Sequence, residues 1–195
     1  AMMTWYQYTG NRKWKELVDR MVDGLDRLLV VHKEDYAYVP THGYMDEEYF
    51  RSCYVKGKGW KDTSEPVDEK NGEEGSLFNH SGHTSGVLST WFMLTGNKTA
   101  IRLAGELVRF FTKPKFWADY PGNDYPWVIG SDHAHWNGHW HGHLNVLRAV
   151  LEYAVAVNDP KLKQFVRDGY EWARQKMFAR IGLIDCQSCG CGRLI

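Results

Sequence analysis

Apolar residues recur at three-and-four spacing in three separate stretches of this chain, and each stretch follows a short break of Gly, Asn or Asp. The copies are TWYQYTGNRKWKELVDRMVDGLDRLL (4–29), STWFMLTGNKTAIRLAGELVRFF (89–111) and VLEYAVAVNDPKLKQFVRDGYEWARQKM (150–177). Repetition of a helix–break–helix unit predicts stacked helical hairpins. Gly10, Gly96 and Asn158 stand where a left-handed residue would close the first helix of each pair. Asn11, Asn97 and Asp159 then stand where a side-chain oxygen would cap the next helix, and Pro160 occupies a first helical position, where its missing N–H is harmless.

In the first copy Trp14, Leu17, Val18, Met21, Val22, Leu25, Leu28 and Leu29 form one stripe, with Lys13, Glu16, Asp19, Arg20, Asp23 and Asp26 on the other side. That predicts an outer helix with one wet face. The stretch 144–157 leaves little room for a polar stripe and predicts an inner helix covered on most sides. The reading is therefore all-α: an array of helical hairpins forming part of an (α/α)6 toroid, with Trp14 and Trp91 buried on apolar helix faces. A six-hairpin toroid needs on the order of twelve helices of about 11 to 12 residues, more than 195 residues supply. The expectation is one toroid-like domain over 1–195, incomplete at both ends, its open ends completed by further hairpins or by a second copy in a homo-oligomer.

Two long irregular segments, about 38–79 and 112–138, interrupt the array. The first holds a strand pair around YFRSCYVKGKGW and an acidic tract; the second is rich in Pro and aromatics, including Tyr125 and Trp136. Both precede inner helices, so both are expected over the same end of the array, where a cleft would form.

Composition narrows the function. Lys and Arg equal Asp and Glu at 24 each, which removes the electrostatic case for nucleic acid, and no run approaches the roughly 18 apolar residues of a membrane span. Seven of the 9 histidines gather at two inner-helix starts: His80 and His83, then His133, His135, His139, His141 and His143. A helix N-terminus disfavours the charged imidazole, so these rings are expected to be neutral near pH 7. His135, His139 and His143 offer spacing for zinc, but no acidic residue stands inside the motif as in H-E-x-x-H. A carbohydrate cleft is preferred, with His83, His139, His143, Trp136, Tyr125 and Asn137 or Asn145 meeting hydroxyl groups. A third cluster, Cys186, Cys189 and Cys191, offers zinc ligands, disulfide partners or plain structural thiols.

Gly82-His83 with LSTWFMLTGNKTAIRLAGELVRFF, Gly142-His143 with LNVLRAVLEYA, and Gln187-Ser188-Cys189 where a Glu-x-Cys would stand together resemble the β-L-arabinofuranosidase-type glycoside hydrolases, family 127 and its relatives. The resemblance implies an (α/α)6 toroid, sugar contacts from His83 and His143, and zinc held by a Glu and three cysteines, with Cys189 a ligand, one cysteine the nucleophile and a separate Glu the acid/base. Gln187 departs from that pattern, being a weaker zinc partner than a carboxylate. Two other classes remain open on the residues alone. One is a polysaccharide lyase using Tyr120, Tyr125, Asn137 and His139 for proton abstraction and enolate stabilisation; the other is a non-catalytic helical scaffold or sugar-binding module.

Overall fold

The computed structural model describes residues 1–39, 78–112, 140–174, 177–178 and 183–184. Of these residues 81% are helical, and the chain is all-α. In order, the elements are α1 (Met2–Thr9), α2 (Arg12–Gly24), a π-helical turn (Leu25–Leu29), β1 (Val31–His32), β2 (Ala37–Tyr38), α3 (Phe78–Thr95), α4 (Lys98–Phe111), α5 (Trp140–Ala156), α6 (Pro160–Arg174), β3 (Met177–Phe178) and β4 (Leu183–Ile184). No helix among them is long and apolar enough to cross a membrane. The strand pair expected near residues 50–60 lies outside the described residues.

The three expected breaks are tight αα turns built in closely related ways. Gly10 (φ 65), Gly96 (φ 73) and Asn158 (φ 56) all take the left-handed conformation. The N–H of Gly10 reaches Tyr6 O at 2.8 Å and that of Gly96 reaches Phe92 O at 2.7 Å, so each closes the helix before it. Thr9 and Thr95 bond back to Trp5 O and Trp91 O at 2.6 and 2.7 Å. Asn11 accepts from Lys13 N at 2.9 Å, Asn97 from Ala100 N at 2.9 Å, and Asp159 from Lys161 N at 2.8 Å and Leu162 N at 3.1 Å. These oxygens satisfy N–H groups that the first turn of a helix leaves free.

The hairpins α1–α2, α3–α4 and α5–α6 pack so that α3 lies along α5, while α4 touches α2, α5 and β2. Among the described residues helix α4 buries the most, with Ala100, Leu103, Ala104, Gly105, Leu107, Val108, Phe110 and Phe111 enclosed. Three glycines let neighbouring side chains or backbone come close. A Cβ on Gly82 would stand 2.9 Å from Val146 Cγ2 and 3.1 Å from Val146 Cα; one on Gly105 would stand 2.6 Å from Tyr153 Oη; one on Gly86 would overlap Glu152 Oε2. With Ser85 between Gly82 and Gly86 and Ser89 beyond them, α3 presents a small-residue face to α5 and α4. The Ser85 hydroxyl donates to Ala104 O at 3.3 Å and that of Ser89 to Ser85 O at 3.0 Å, which satisfies both in the buried interior.

Several expectations shift. Trp91 is fully buried but Trp14 is half-buried. Of the stripe predicted along α2, Val18 and Val22 are buried, whereas Met21, Leu28 and Leu29 are 59%, 80% and 59% exposed. The helix widens into a π turn at Leu25, where Val30 N bonds Leu25 O at 3.2 Å; the extra residue per turn rotates the following side chains out of the 3.6-residue register. Inner helix α5 is not covered on most sides among the described residues, because Leu151 and Val155 are exposed. The β1–β2 hairpin, paired antiparallel through Val31–Tyr38 and His32–Ala37, was not anticipated.

A polar tie fastens the first hairpin to the second. Asp19 on α2 accepts from Trp91 Nε1 at 2.9 Å and Asn97 Nδ2 at 2.7 Å through one oxygen, and from Lys15 Nζ at 2.6 Å through the other. Partial burial pushes the Asp19 carboxyl up, yet the hydrogen bonds from Lys15, Trp91 and Asn97 outweigh it and hold the group below 3.8. A carboxyl depressed on folding adds stability above its unfolded value and loses it as pH falls through the folded one. We therefore predict that Asp19→Ala, which strands the buried indole N–H, lowers unfolding free energy by about 1–3 kcal/mol at neutral pH. The difference from wild type should shrink as denaturation curves are taken below pH 3.8. Equal acid sensitivity in both proteins would contradict the assignment.

Candidate functional site

Where α3 and α5 run side by side, a half-open cleft of about 270 Å³ forms between them and the start of α1. It is lined by Met3, by Gly82, His83, Gly86, Val87 and Thr90 from α3, and by Asn145, Arg148, Ala149 and Glu152 from α5. At ~30 Å³ per water molecule this is room for about nine waters, the scale of one small ring-sized ligand rather than a buried polymer.

Local sequence explains each wall. Asn145, Arg148 and Glu152 follow one another at three and four residues, so they share one face of α5. They are the narrow polar stripe that the reading of an all-round apolar helix overlooked. Their backing is the small-residue face of α3, with Gly86 leaving the space that Glu152 occupies. The Glu152 side chain is three-quarters buried, at 25% exposure, whereas Arg148 is 78% exposed. Arg148 Nε donates to Glu152 Oε1 at 2.9 Å. As an exposed i,i+4 pair it contributes only about 0.3–0.5 kcal/mol to stability; its consequence is geometric, fixing one carboxylate oxygen while the other lies over Gly86. The cleft thus offers an imidazole, an amide, a hydroxyl, a guanidinium and a carboxylate beside the apolar Met3, Val87 and Ala149.

The residues expected to bind ligand are divided by the fold. His83 is exposed and lines the cleft, as does Asn145. His143, on the facing helix, is fully buried and is not among the described lining residues: His83 stands at the opening and His143 in the interior. Burial of His143 follows from its place in the first turn of α5, on the side that carries the core residues Val146, Leu147 and Val150. Tyr125, Trp136, Asn137 and His139 lie outside the described residues, as do Cys186, Cys189 and Cys191. Thr90, Arg148 and Glu152 were missed; the signal available for the last two was their spacing with Asn145.

A second polar group stands apart from the cleft lining: Asp26, His32 and Glu106, with ligand-type atoms within 4.8 Å of one another. Arg102 already bonds both carboxylates, Asp26 Oδ2 at 2.5 Å and Glu106 Oε1 at 2.7 Å. The cationic charge is supplied by the chain itself, which makes this an ion-pair network.

The glycine face gives two opposite expectations. Gly82→Ala pushes a methyl against the Val146 backbone and is expected to destabilise by about 1–3 kcal/mol from overpacking, less up to ~1 kcal/mol gained in helix propensity. In Gly86→Ala the obstacle is the end of a flexible side chain, so thermal denaturation should show little loss or a small gain, while Glu152 swings away from its seat. Equal melting shifts for the two variants would contradict this packing. Compared with protein-family models, with curated proteins and with solved structures, the chain has no match in any of the three.

Proposed function

We propose that the chain binds carbohydrate in the α3–α5 cleft, as part of a helical-hairpin toroid of the glycoside-hydrolase type. The observation that carries this reading is the placement of Glu152, seated over Gly86 and oriented by Arg148 at 2.9 Å, next to Asn145, Thr90 and His83. A saccharide hydroxyl both donates and accepts, and this group of side chains offers both roles within one small cleft. Val87, Ala149 and Met3 give the apolar surface that the C–H face of a sugar ring needs.

Charge balance refines the ligand. Glu152 and Arg148 neutralise one another, so the cleft carries no unpaired fixed charge from them, which favours a neutral polyhydroxyl ring over a uronate. Glycoside hydrolysis in its usual scheme takes two carboxyl groups flanking the bond, and Glu152 is the single carboxylate among the described lining residues. Saccharide recognition is accordingly the step assigned to this cleft.

Titration calorimetry and ligand-observed NMR with a panel of neutral monosaccharides, pentoses and hexoses alike, test the reading. At least one sugar should bind, and Glu152→Gln should weaken it roughly tenfold to a hundredfold, the equivalent of losing one charge-assisted hydrogen bond of about 1.5–3 kcal/mol. Gly86→Ala should weaken it in the same direction with the fold intact. Absence of binding across the panel, or affinity unaltered by Glu152→Gln, would sink the proposal.

A further inference from the structure

His32, on β1, meets an oxygen at both ring nitrogens. Nδ1 lies 2.9 Å from Glu106 Oε2; Nε2 lies 2.9 Å from the Asp26 carbonyl oxygen and 3.3 Å from Asp26 Oδ1. A neutral imidazole has one N–H and one lone pair, so in either tautomer one of these contacts would set a lone pair against an oxygen. Only the doubly protonated ring satisfies both sides. Asp26 Oδ1 is itself buried and, among the described residues, makes no hydrogen bond, with His32 Nε2 at 3.3 Å from it.

The three residues belong to different elements: Asp26 to the π turn, His32 to β1 and Glu106 to α4. Arg102 on α4 bridges the outer oxygens of both carboxylates, and Arg109, also on α4, donates to the Asp35 carbonyl oxygen in the hairpin turn. The remaining charged groups of the hairpin turn are Lys33, over the Tyr38 ring at 5.8 Å, Glu34 and the Asp35 side chain; Asp23 lies just before the π turn, and Arg27, within it, donates to the Asp23 carbonyl oxygen. Beneath the network, Tyr36 and Tyr38 pack on Phe110 with ring centroids 6.0 and 5.5 Å apart.

We propose that His32 is a proton-operated latch: its imidazolium fastens the β1–β2 hairpin and the π turn to α4, and loss of the proton loosens them. The electrostatic surroundings of the ring act in the same direction. The Asp26 carbonyl raises the His32 pKa above 6.5, burial opposes this, and the Glu106 carboxylate adds to the rise. A histidine whose pKa is raised on folding contributes stability that is fully present below pH 6.5 and disappears as pH climbs through the folded value. Proton rather than metal is the matching cation, because each nitrogen points at a different oxygen and Arg102 occupies the carboxylates' other side. A metal on either nitrogen would have to displace the oxygen it faces.

Histidine NMR titration and amide hydrogen exchange on the full chain, in EDTA from pH 5.5 to 8.5, test the latch. His32 should titrate above pH 6.5, and protection factors of Val31 to Tyr38, corrected for intrinsic exchange, should fall across the interval from pH 6.5 to that midpoint while those of Leu103 to Leu107 stay level. The logarithm of the lost protection should equal the displacement of the midpoint from 6.5, since local opening carries the linkage. His32→Gln should give low, pH-independent hairpin protection; should that variant not fold, Glu106→Gln should move the His32 midpoint down toward 6.5. A midpoint at or below 6.5, flat protection through the titration, or hairpin protection at pH 8.5 restored by equimolar zinc would each overturn it.

Discussion

The absence of side chains at Gly82 and Gly86 governs this structure. Helix α5 lies against α3 at a distance that a Cβ at Gly82 would contest, while at Gly86 the missing Cβ leaves the seat that Glu152 takes, and the consequences spread in two directions. Inward, the close approach lets Val146 and Val150 join Leu88 and Trp91 in one core with Leu103 and Leu107. Outward, it brings the polar stripe of α5 to the rim of α3 and seats Glu152 where a methyl would otherwise stand. Packing and site chemistry therefore share a cause. A side chain at Gly82 would push the helices apart and loosen the core, whereas one at Gly86 would displace Glu152 and change the cleft alone.

Apolar burial and polar ties divide the work between strength and register. Burying an indole removes some 150–250 Å² from water, roughly 4–6 kcal/mol as an upper bound, so Trp91 outweighs any single hydrogen bond around it. That burial is non-directional, however, and would tolerate sliding. The Asp19 carboxylate tolerates none: it gathers the Trp91 indole and the Asn97 amide, and Asn97 in turn caps α4. One contact chain thus links α2, the end of α3 and the start of α4. Trp5, the counterpart of Trp91 in the first repeat, is 52% exposed and packs edge-on against Tyr8 at 6.0 Å. Equivalent letters in the repeat carry different energies because, among the described residues, the second hairpin is packed between the other two.

The two charged groups serve different ends for an electrostatic reason. In the cleft a single exposed arginine screens and aims one carboxylate, leaving the other oxygen for a ligand. At the π turn two carboxylates, each about five-sixths buried at 17% and 16% exposure, would repel one another, and both an arginine and a protonated histidine are needed to hold them. A group that depends on a titratable cation responds to pH; one balanced by a guanidinium does not.

Sequence alone determined the local structure: the hairpin breaks at Gly10, Gly96 and Asn158, the caps at Asn11, Asn97 and Asp159, the helix starts near His80 and His143, and the all-α class. Each follows from backbone preferences and short-range hydrogen bonds that need no distant partner. Of the candidate site, His83 and Asn145 were legible as polar residues at the starts of two apolar helices. Tertiary structure decided the rest. Whether His143 faces solvent or core depends on which side of α5 meets α3, and the exposure of Leu28 and Leu29 depends on a π turn that a 3.6-residue pattern does not contain. The recruitment of Glu152 and the meeting of His32 with Glu106, 74 positions away, depend on helix approach distances, which are a property of two surfaces together and are written in neither one alone.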